Sequence, residues 1–240
     1  TFQNVNTGFF EDGVLLDMAT GTTAGTVTIS NNFFTNHDGD HIQVALNGSA
    51  SITNTSITGN TLNTNVGTVL GGGITVNHAG TYTGSNTITI SNNNIQNANS
   101  QSINVNLGAH NAPALVRATI SNNTIGTAGV AGSGGNTGID VEINGGAGVT
   151  AGTLTALISN NTIREFENIG IDAAAVDGAL NTATLNLTVT GNTVTETTAG
   201  GGSFASIFVD ALDSNLVCAD IGGAGGLANT LSNTSGFTDI

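Results

Sequence analysis

Asp140 and Asp172 stand at the same place in two copies of one short phrase, Gly138-Ile139-Asp140-Val141 and Gly170-Ile171-Asp172-Ala173, and Glu142 follows two residues after the first. If the two copies are neighbouring strands, the aspartates share one face at about one strand spacing, ~4.8 Å. Carboxylates that close either share a proton, one pKa being raised, or hold a cation such as Ca²⁺. A separation near ~5 Å is also what a retaining glycosidase needs, given a cleft and sugar-positioning groups. The plainer outcome is a solvated acidic face. A second grouping, Asn36-His37-Asp38-Gly39-Asp40-His41, gathers two acids and two histidines around a glycine. It can hold a cation or supply acid–base groups, or be an ordinary polar turn. The third set is hydroxyls: Thr28 and Ser30, Ser56 and Thr58, Thr89 and Ser91, Thr119 and Ser121, then Thr188 and Thr190 flank an apolar residue in successive phrases, with Leu157 and Ser159 the one interruption. Two outward columns of that kind can contact a glycan or order water.

What must position these residues is a repeat. A phrase of the form Ile/Val-Ser/Thr-Asn/Gly-Asn-x-apolar returns six times, with its fourth position at Asn32, Asn60, Asn93, Asn123, Asn161 and Asn192. These asparagines are 28, 33, 30, 38 and 31 residues apart. A second phrase, small-Ile-x-Val, falls between them, as in His41-Ile42-Gln43-Val44, Gly73-Ile74-Thr75-Val76 and Ser102-Ile103-Asn104-Val105. From each anchor Asn to the next such Ile the distances run 10, 14, 10, 16, 10 and 15, so short and long connections alternate. The long ones carry Gly71-Gly72-Gly73, Gly132-Ser133-Gly134-Gly135 and Gly200-Gly201-Gly202, which suit loops bulging from one corner.

Apolar and polar residues alternate within each phrase, the period of a strand with one buried face. Short strands recurring once per 28–38 residues bury that face only by stacking on the equivalent strand of the next coil. The expectation is an all-β fold, a right-handed parallel β-helix of about seven coils and about three strands per coil, its hand following from the rule for parallel crossovers. Ile29, Ile57, Ile90, Ile120, Ile158 and Val189 should form one inward stack, and Phe34, Leu62, Ile95, Ile125, Ile163 and Val194 another. The six anchor asparagines should form a ladder at the turn between them, amide bonded to amide, and supply the left-handed conformation a sharp corner needs. Counting in register from the anchors, both ends cut through a coil, which suggests open ends: part of a longer solenoid, or a protomer completed by its neighbours stacked end to end.

Composition narrows the function. Of 240 residues, 35 are Gly, 33 Asn and 38 Thr, while Lys and Arg number 2 against 16 Asp and Glu, for a net charge of −14. A phosphate-backbone binder needs clustered cations, so nucleic acid and anionic membranes are unsuitable partners. No apolar run is long enough for a membrane-inserting helix. The single Cys218 rules out an internal disulfide and reads, beside Val217, as a small buried residue. His78 and His110 read as loop or core-edge residues, and Phe166, Phe204 and Phe208 as covers for a corner or stacking surfaces for sugars.

The phrases resemble the repeats of right-handed parallel β-helix proteins of the pectin-lyase-like superfamily, above all the Asn/Gly/Thr-rich versions in bacterial secreted and surface proteins. The resemblance covers essentially the whole chain and implies the fold; that fold hosts lyases, hydrolases, adhesins and tailspikes, so it does not imply an activity. Its lyases use Asp-bound calcium with an arginine base, and its hydrolases use carboxylates with Asp-Asp, Gly-His-Gly and Arg-x-Lys motifs. None of those three motifs occurs here, and the chain has no lysine. The hydroxyl columns also resemble Thr arrays of ice-binding solenoids. The reading favoured is a non-catalytic structural or adhesive rod, extracellular or on a cell surface, with glycans as its other partners. A polysaccharide lyase or hydrolase at Asp140, Asp172 and Glu142 or at Asp38 and Asp40 is the alternative, and ice binding the second alternative. No cofactor is implied beyond Ca²⁺ at the acidic face.

Overall fold

The structure is a computed structural model that describes residues 2–3, 12–65, 71–79, 82–108, 114–144, 152–176, 183–197, 204–213, 215–223 and 227–233. The described residues contain strands and turns and no helix, and the strands form three parallel sheets of eight, seven and seven strands. Sheet I is built from the small-Ile-x-Val phrases: β2 (Val14–Met18), β5 (Ile42–Asn47), β8 (Ile74–Ala79), β11 (Gln101–Leu107), β14 (Thr137–Asn144), β17 (Ile169–Val176) and β20 (Ala205–Ala211). Sheet II carries the strands that lead into the anchor turn: β3 (Thr23–Ser30), β6 (Ser51–Thr58), β9 (Ser85–Ser91), β12 (Leu115–Ser121), β15 (Thr153–Ser159), β18 (Thr184–Thr190) and β21 (Leu216–Ile221). Sheet III follows that turn: β1 (Phe2–Gln3), β4 (Phe33–His37), β7 (Thr61–Asn65), β10 (Asn94–Gln96), β13 (Thr124–Ile125), β16 (Thr162–Arg164), β19 (Thr193–Glu196) and β22 (Thr230–Asn233). Every third strand pairs with the next of its sheet, which makes the chain a parallel β-solenoid. The long connections at Gly71-Gly72-Gly73 and Gly132–Gly135 run between sheets III and I; Gly200–Gly202 lie outside the described residues.

Register follows the phrases. Ile29, Ile57, Ile90, Ile120, Ile158 and Val189 are successive partners in sheet II, and Phe34, Leu62, Ile95, Ile125, Ile163 and Val194 in sheet III. All lie in the core, where each strand's apolar face meets those of the other two sheets. A slip of one residue would turn these faces to solvent, so the pattern itself fixes the pairing within a coil.

The anchor turn divides its work between two residues. The third position of the phrase takes the left-handed conformation: Asn31, Asn92, Asn122 and Asn160 at φ 55–57°, and Gly59 and Gly191 at 67° and 66°. The fourth-position asparagine, to which the sequence reading gave both duties, is free of that strain and is spent on hydrogen bonding. Only Gly and Asn take φ > 0 cheaply, because a Cβ there crowds the carbonyl and the Asn amide compensates locally. Asn122→Gly is therefore expected to shift stability by less than ~0.5 kcal/mol and Asn122→Ala to cost ~1 kcal/mol, as read by urea denaturation midpoints.

Candidate functional site

The asparagine ladder runs from Asn32 to Asn229. The Oδ1 of each member accepts two bonds from the member one coil earlier, its backbone N–H and its Nδ2–H: for Asn93 to Asn123 both are 3.0 Å, and for Asn123 to Asn161 they are 2.9 and 3.0 Å. The second amide hydrogen of each goes back to the carbonyl of an inward residue of sheet II, Asn60 to Ile29, Asn93 to Ile57, Asn123 to Ile90, Asn161 to Ile120 and Asn192 to Ile158, all at 2.9 Å. Asn192 passes the pattern to Asn229 at 2.9 and 3.0 Å. From Asn60 to Asn192 the side chains are essentially wholly buried. An amide carries a donor and an acceptor end, so it can be repeated indefinitely along the axis with every group satisfied; a carboxylate cannot.

The acidic face lies on the outside of sheet I. One outward column reads Gln43, Thr75, Asn104, Asp140, Asp172, Phe208, and the next reads Asn77, Asn106, Glu142, Ala174, Asp210. Asp140 and Asp172 are thus direct strand partners. Asp140 is only 9% exposed, and Gln101 donates from Nε2 to its Oδ2 at 3.2 Å. Asn144 donates from Nδ2 to Glu142 Oε1 at 2.6 Å and to Asn106 Oδ1 at 3.3 Å. Asn104 Oδ1 and Asp172 Oδ1 are shielded from solvent and accept no hydrogen bond. Burial, then the charges of Asp172 and Glu142, push the Asp140 carboxyl up to about 7; burial, then Glu142 and Asp210, push Asp172 up to about 6. Near neutrality the pair holds a proton that ordinary aspartates would have lost.

The amides around these carboxylates, Gln101, Asn104, Asn106 and Asn144, went unremarked in the sequence, although the same column alignment points to Asn104 and Asn106. Among the described residues no group of three or more His, Cys, Asp or Glu is arranged to hold a metal ion. Phe208 ends the first column and stacks edge-on against the half-exposed Phe204, with centroids 5.2 Å apart.

The Asn36–His41 turn is built into the corner. Asp12 Oδ1 accepts the Asp40 N–H at 2.8 Å, and Asp40 Oδ1 accepts the Gly72 N–H at 2.6 Å, so these acids form a short ladder of their own. Burial raises Asp12 to about 6 and raises Asp40 as well. The His41 ring is wholly buried, with Nδ1 3.3 Å from the Gly72 carbonyl, and burial lowers it to about 4. His37, His41 and Phe34 pack edge to face, the two imidazole centroids 5.4 Å apart. Asp38 takes no part in these turn bonds and is half-buried.

Sheet II presents the hydroxyl face in three columns. Thr26, Asn54, Thr87, Arg117, Thr155, Asn186 and Cys218 form the first; Thr28, Ser56, Thr89, Thr119, Leu157, Thr188 and Asp220 the second; Ser30, Thr58, Ser91, Ser121, Ser159 and Thr190 the third. Arg117 and Asp220 are its only charges, whereas the outward columns of sheet I carry Asp17, Asp140, Glu142, Asp172 and Asp210. Cys218 lies exposed on the first of these columns, since Val217 takes the inward place; the buried position expected for it is not what the strand's alternation gives. Phe166 is buried at its corner, and His78 lies in the core rather than in a loop or at the core edge. His110 lies outside the described residues.

Comparison with models of protein families, with curated proteins and with solved structures finds no match to this chain.

Proposed function

We propose that the protein is a non-catalytic structural or adhesive rod of a secreted or surface-displayed bacterial protein, contacting neutral glycans along its faces and stacking on further coils or protomers at its ends. The observation that carries this reading is the unbroken stack. Each sheet continues with parallel pairing through the described chain, with one bulge at Ile52–Asn54 of sheet II, and the ladder from Asn32 to Asn229 spans the same length. Such an arrangement resists bending and local opening, because no coil opens without breaking bonds to both neighbours. The hydroxyl face of sheet II adds a surface almost free of charge, suited to uncharged polymers. Leu212, Leu216 and Leu227, about half exposed in the last described coil, suit contact with a further layer.

The enzyme reading keeps one specific observation, the Asp140–Asp172 pair, direct strand partners whose carboxyls burial and neighbouring charge hold above the ordinary aspartate range. The pectin-lyase-like assignment would make that pair part of a polysaccharide-degrading site. One experiment separates the readings. The purified chain is incubated with insoluble neutral polysaccharides and with soluble neutral and acidic glycans. The expected result is sedimentation with the neutral polymers that persists at 1 M NaCl, because charge screening leaves neutral contacts intact. Release of reducing ends or unsaturated sugars that Asp140→Asn abolishes would establish the enzyme instead. Thermal hysteresis lost on replacing Thr89 and Thr119 would assign the hydroxyl face to ice.

A further inference from the structure

Three inward columns of the core are aliphatic along their length except at one place each. Met18, Leu46, Leu107, Ile143 and Ala175 share a sheet I column with His78. Ile52, Val116, Leu154 and Leu185 share a sheet II column with Asn86, and Val27, Ile88, Ala118, Ala156 and Leu187 share the adjacent one with Thr55. The three exceptions meet. The Thr55 hydroxyl donates to Asn86 Oδ1 at 3.1 Å, and Asn86 Nδ2 lies 3.2 Å from His78 Nε2. His78 Nδ1 lies 2.9 Å from the Asn106 carbonyl, so the imidazole donates from Nδ1 and accepts at Nε2. All three side chains are at least 98% buried, and the Tyr82 ring covers the imidazole with centroids 4.7 Å apart. Thr55 sits on β6, His78 and Asn86 on β8 and β9, and Asn106 on β11, so the chain of bonds ties three consecutive coils.

A solenoid of near-identical repeats has a particular hazard. Ile90-Ser91-Asn92-Asn93, Ile120-Ser121-Asn122-Asn123 and Ile158-Ser159-Asn160-Asn161 are interchangeable in the ladder and in the core, so a whole coil can be skipped with the apolar pattern preserved. Period-two patterning guards against slips of one residue, not of one coil. Skipping the coil that carries His78 and Asn86, however, would set Thr55 against Ala118 among aliphatic side chains without its partner, and a buried polar group left unpaired is heavily penalised.

We propose that the Thr55–Asn86–His78 network is a register key, which makes the stacking order of the early coils unique at no gain in stability. A buried polar group that specifies one register of an otherwise repetitive apolar seam is a known use of such residues in coiled coils. Here the key spans three strands and is read only when coils follow in sequence.

The test uses the full chain with Cys218→Ser, refolded from denaturant under oxidising conditions. Thr89→Cys with Thr119→Cys reports native order, since these positions are direct partners; Ser56→Cys with Thr119→Cys reports a skipped coil, because Thr89 stands between them. With the network intact, only the first pair is expected to close within monomers, as read by peptide mass spectrometry. With Thr55→Val, Asn86→Leu and His78→Leu combined, the second pair is expected to close at least tenfold more often. Each single replacement should lower the urea midpoint, while the triple variant returns to the parent value or above it. A triple variant that closes only the native pair would overturn the proposal. So would one that fails to refold or is less stable than each single, since the network would then be a source of stability and not of order.

Discussion

Asn123→Ala is expected to be among the most damaging single changes in the chain, at about 3–5 kcal/mol, read as a fall in urea midpoint. The estimate rests on what the side chain leaves behind. Its Oδ1 accepts the Asn93 backbone N–H and Nδ2–H, and its Nδ2 serves the Ile90 carbonyl and Asn161 Oδ1. Removing it orphans the Asn93 donors and the Ile90 carbonyl in a place water does not reach, at ~1–3 kcal/mol for each buried group left unpaired. Asn161 Oδ1 keeps the Asn123 backbone N–H and suffers less. Asn123→Asp discriminates further. It keeps the shape but turns the donor end into an acceptor facing the Ile90 carbonyl, so it should be worse than Ala at pH 7 and recover as the carboxyl is protonated. The same change at half-buried Asn229 should cost less, because water can replace the lost partners. Loss equal at Asn123 and Asn229 would mean that the ladder adds nothing to ordinary turn bonding.

That ladder also shows how much of the fold was legible beforehand and where legibility stopped. Period-two alternation and the returning anchor Asn determine which residues face inward and which stack, because both are consequences of strand geometry alone. The division of the turn between Asn122 and Asn123 was legible only by comparing repeats: Gly59 and Gly191 mark the third position as the one that bends, whereas an Asn–Asn pair taken alone leaves the choice to the chain's path. The acidic site was half visible. Alignment of the two phrases puts Asp140 above Asp172, but burial of an outward side chain depends on what surrounds it, and Gln101 and Asn144 enter from outside the aligned columns. The His37–His41 turn was open between a cation site, acid–base groups and an ordinary polar turn, because residue type alone does not show that Asp40 is spent on the Gly72 N–H. His78 was misplaced for the opposite reason. A histidine within an alternating strand reads as an exception to the core, whereas its partners Asn86 and Thr55 lie on other strands and make it a member.

Asp140→Asn is expected to stabilise the protein, and only above the acidic range. The Asp140 carboxyl titrates near 7 in the folded chain against 3.8 for the ordinary group, so the unfolded chain releases its proton first. Below pH ~3 both states are protonated and the residue is neutral to stability. As pH rises from 4 to 7 the unfolded state gains the ionised form while the fold still holds the acid, and stability falls; above 7 the cost is constant. A shift of this size corresponds to on the order of 4 kcal/mol at pH 8. Asparagine removes that cost and adds donors where Asn104 Oδ1 and Asp172 Oδ1 lack them, while its own oxygen can keep the bond from Gln101. Melting temperatures of the variant and the parent should therefore lie closest below pH 3 and separate by several degrees at pH 8. His41 and His78 act in the opposite sense. Burial lowers both to about 4, so their contribution is complete above pH 6.5 and is lost as pH falls toward 4. Calcium gives the contrary outcome a clear form: if the ion bridges Asp140 and Asp172, chelator will lower the parent's midpoint at pH 8, and Asp140→Asn will destabilise in the presence of the ion. An unchanged midpoint with chelator, together with a stabilised variant, assigns the pair to a shared proton.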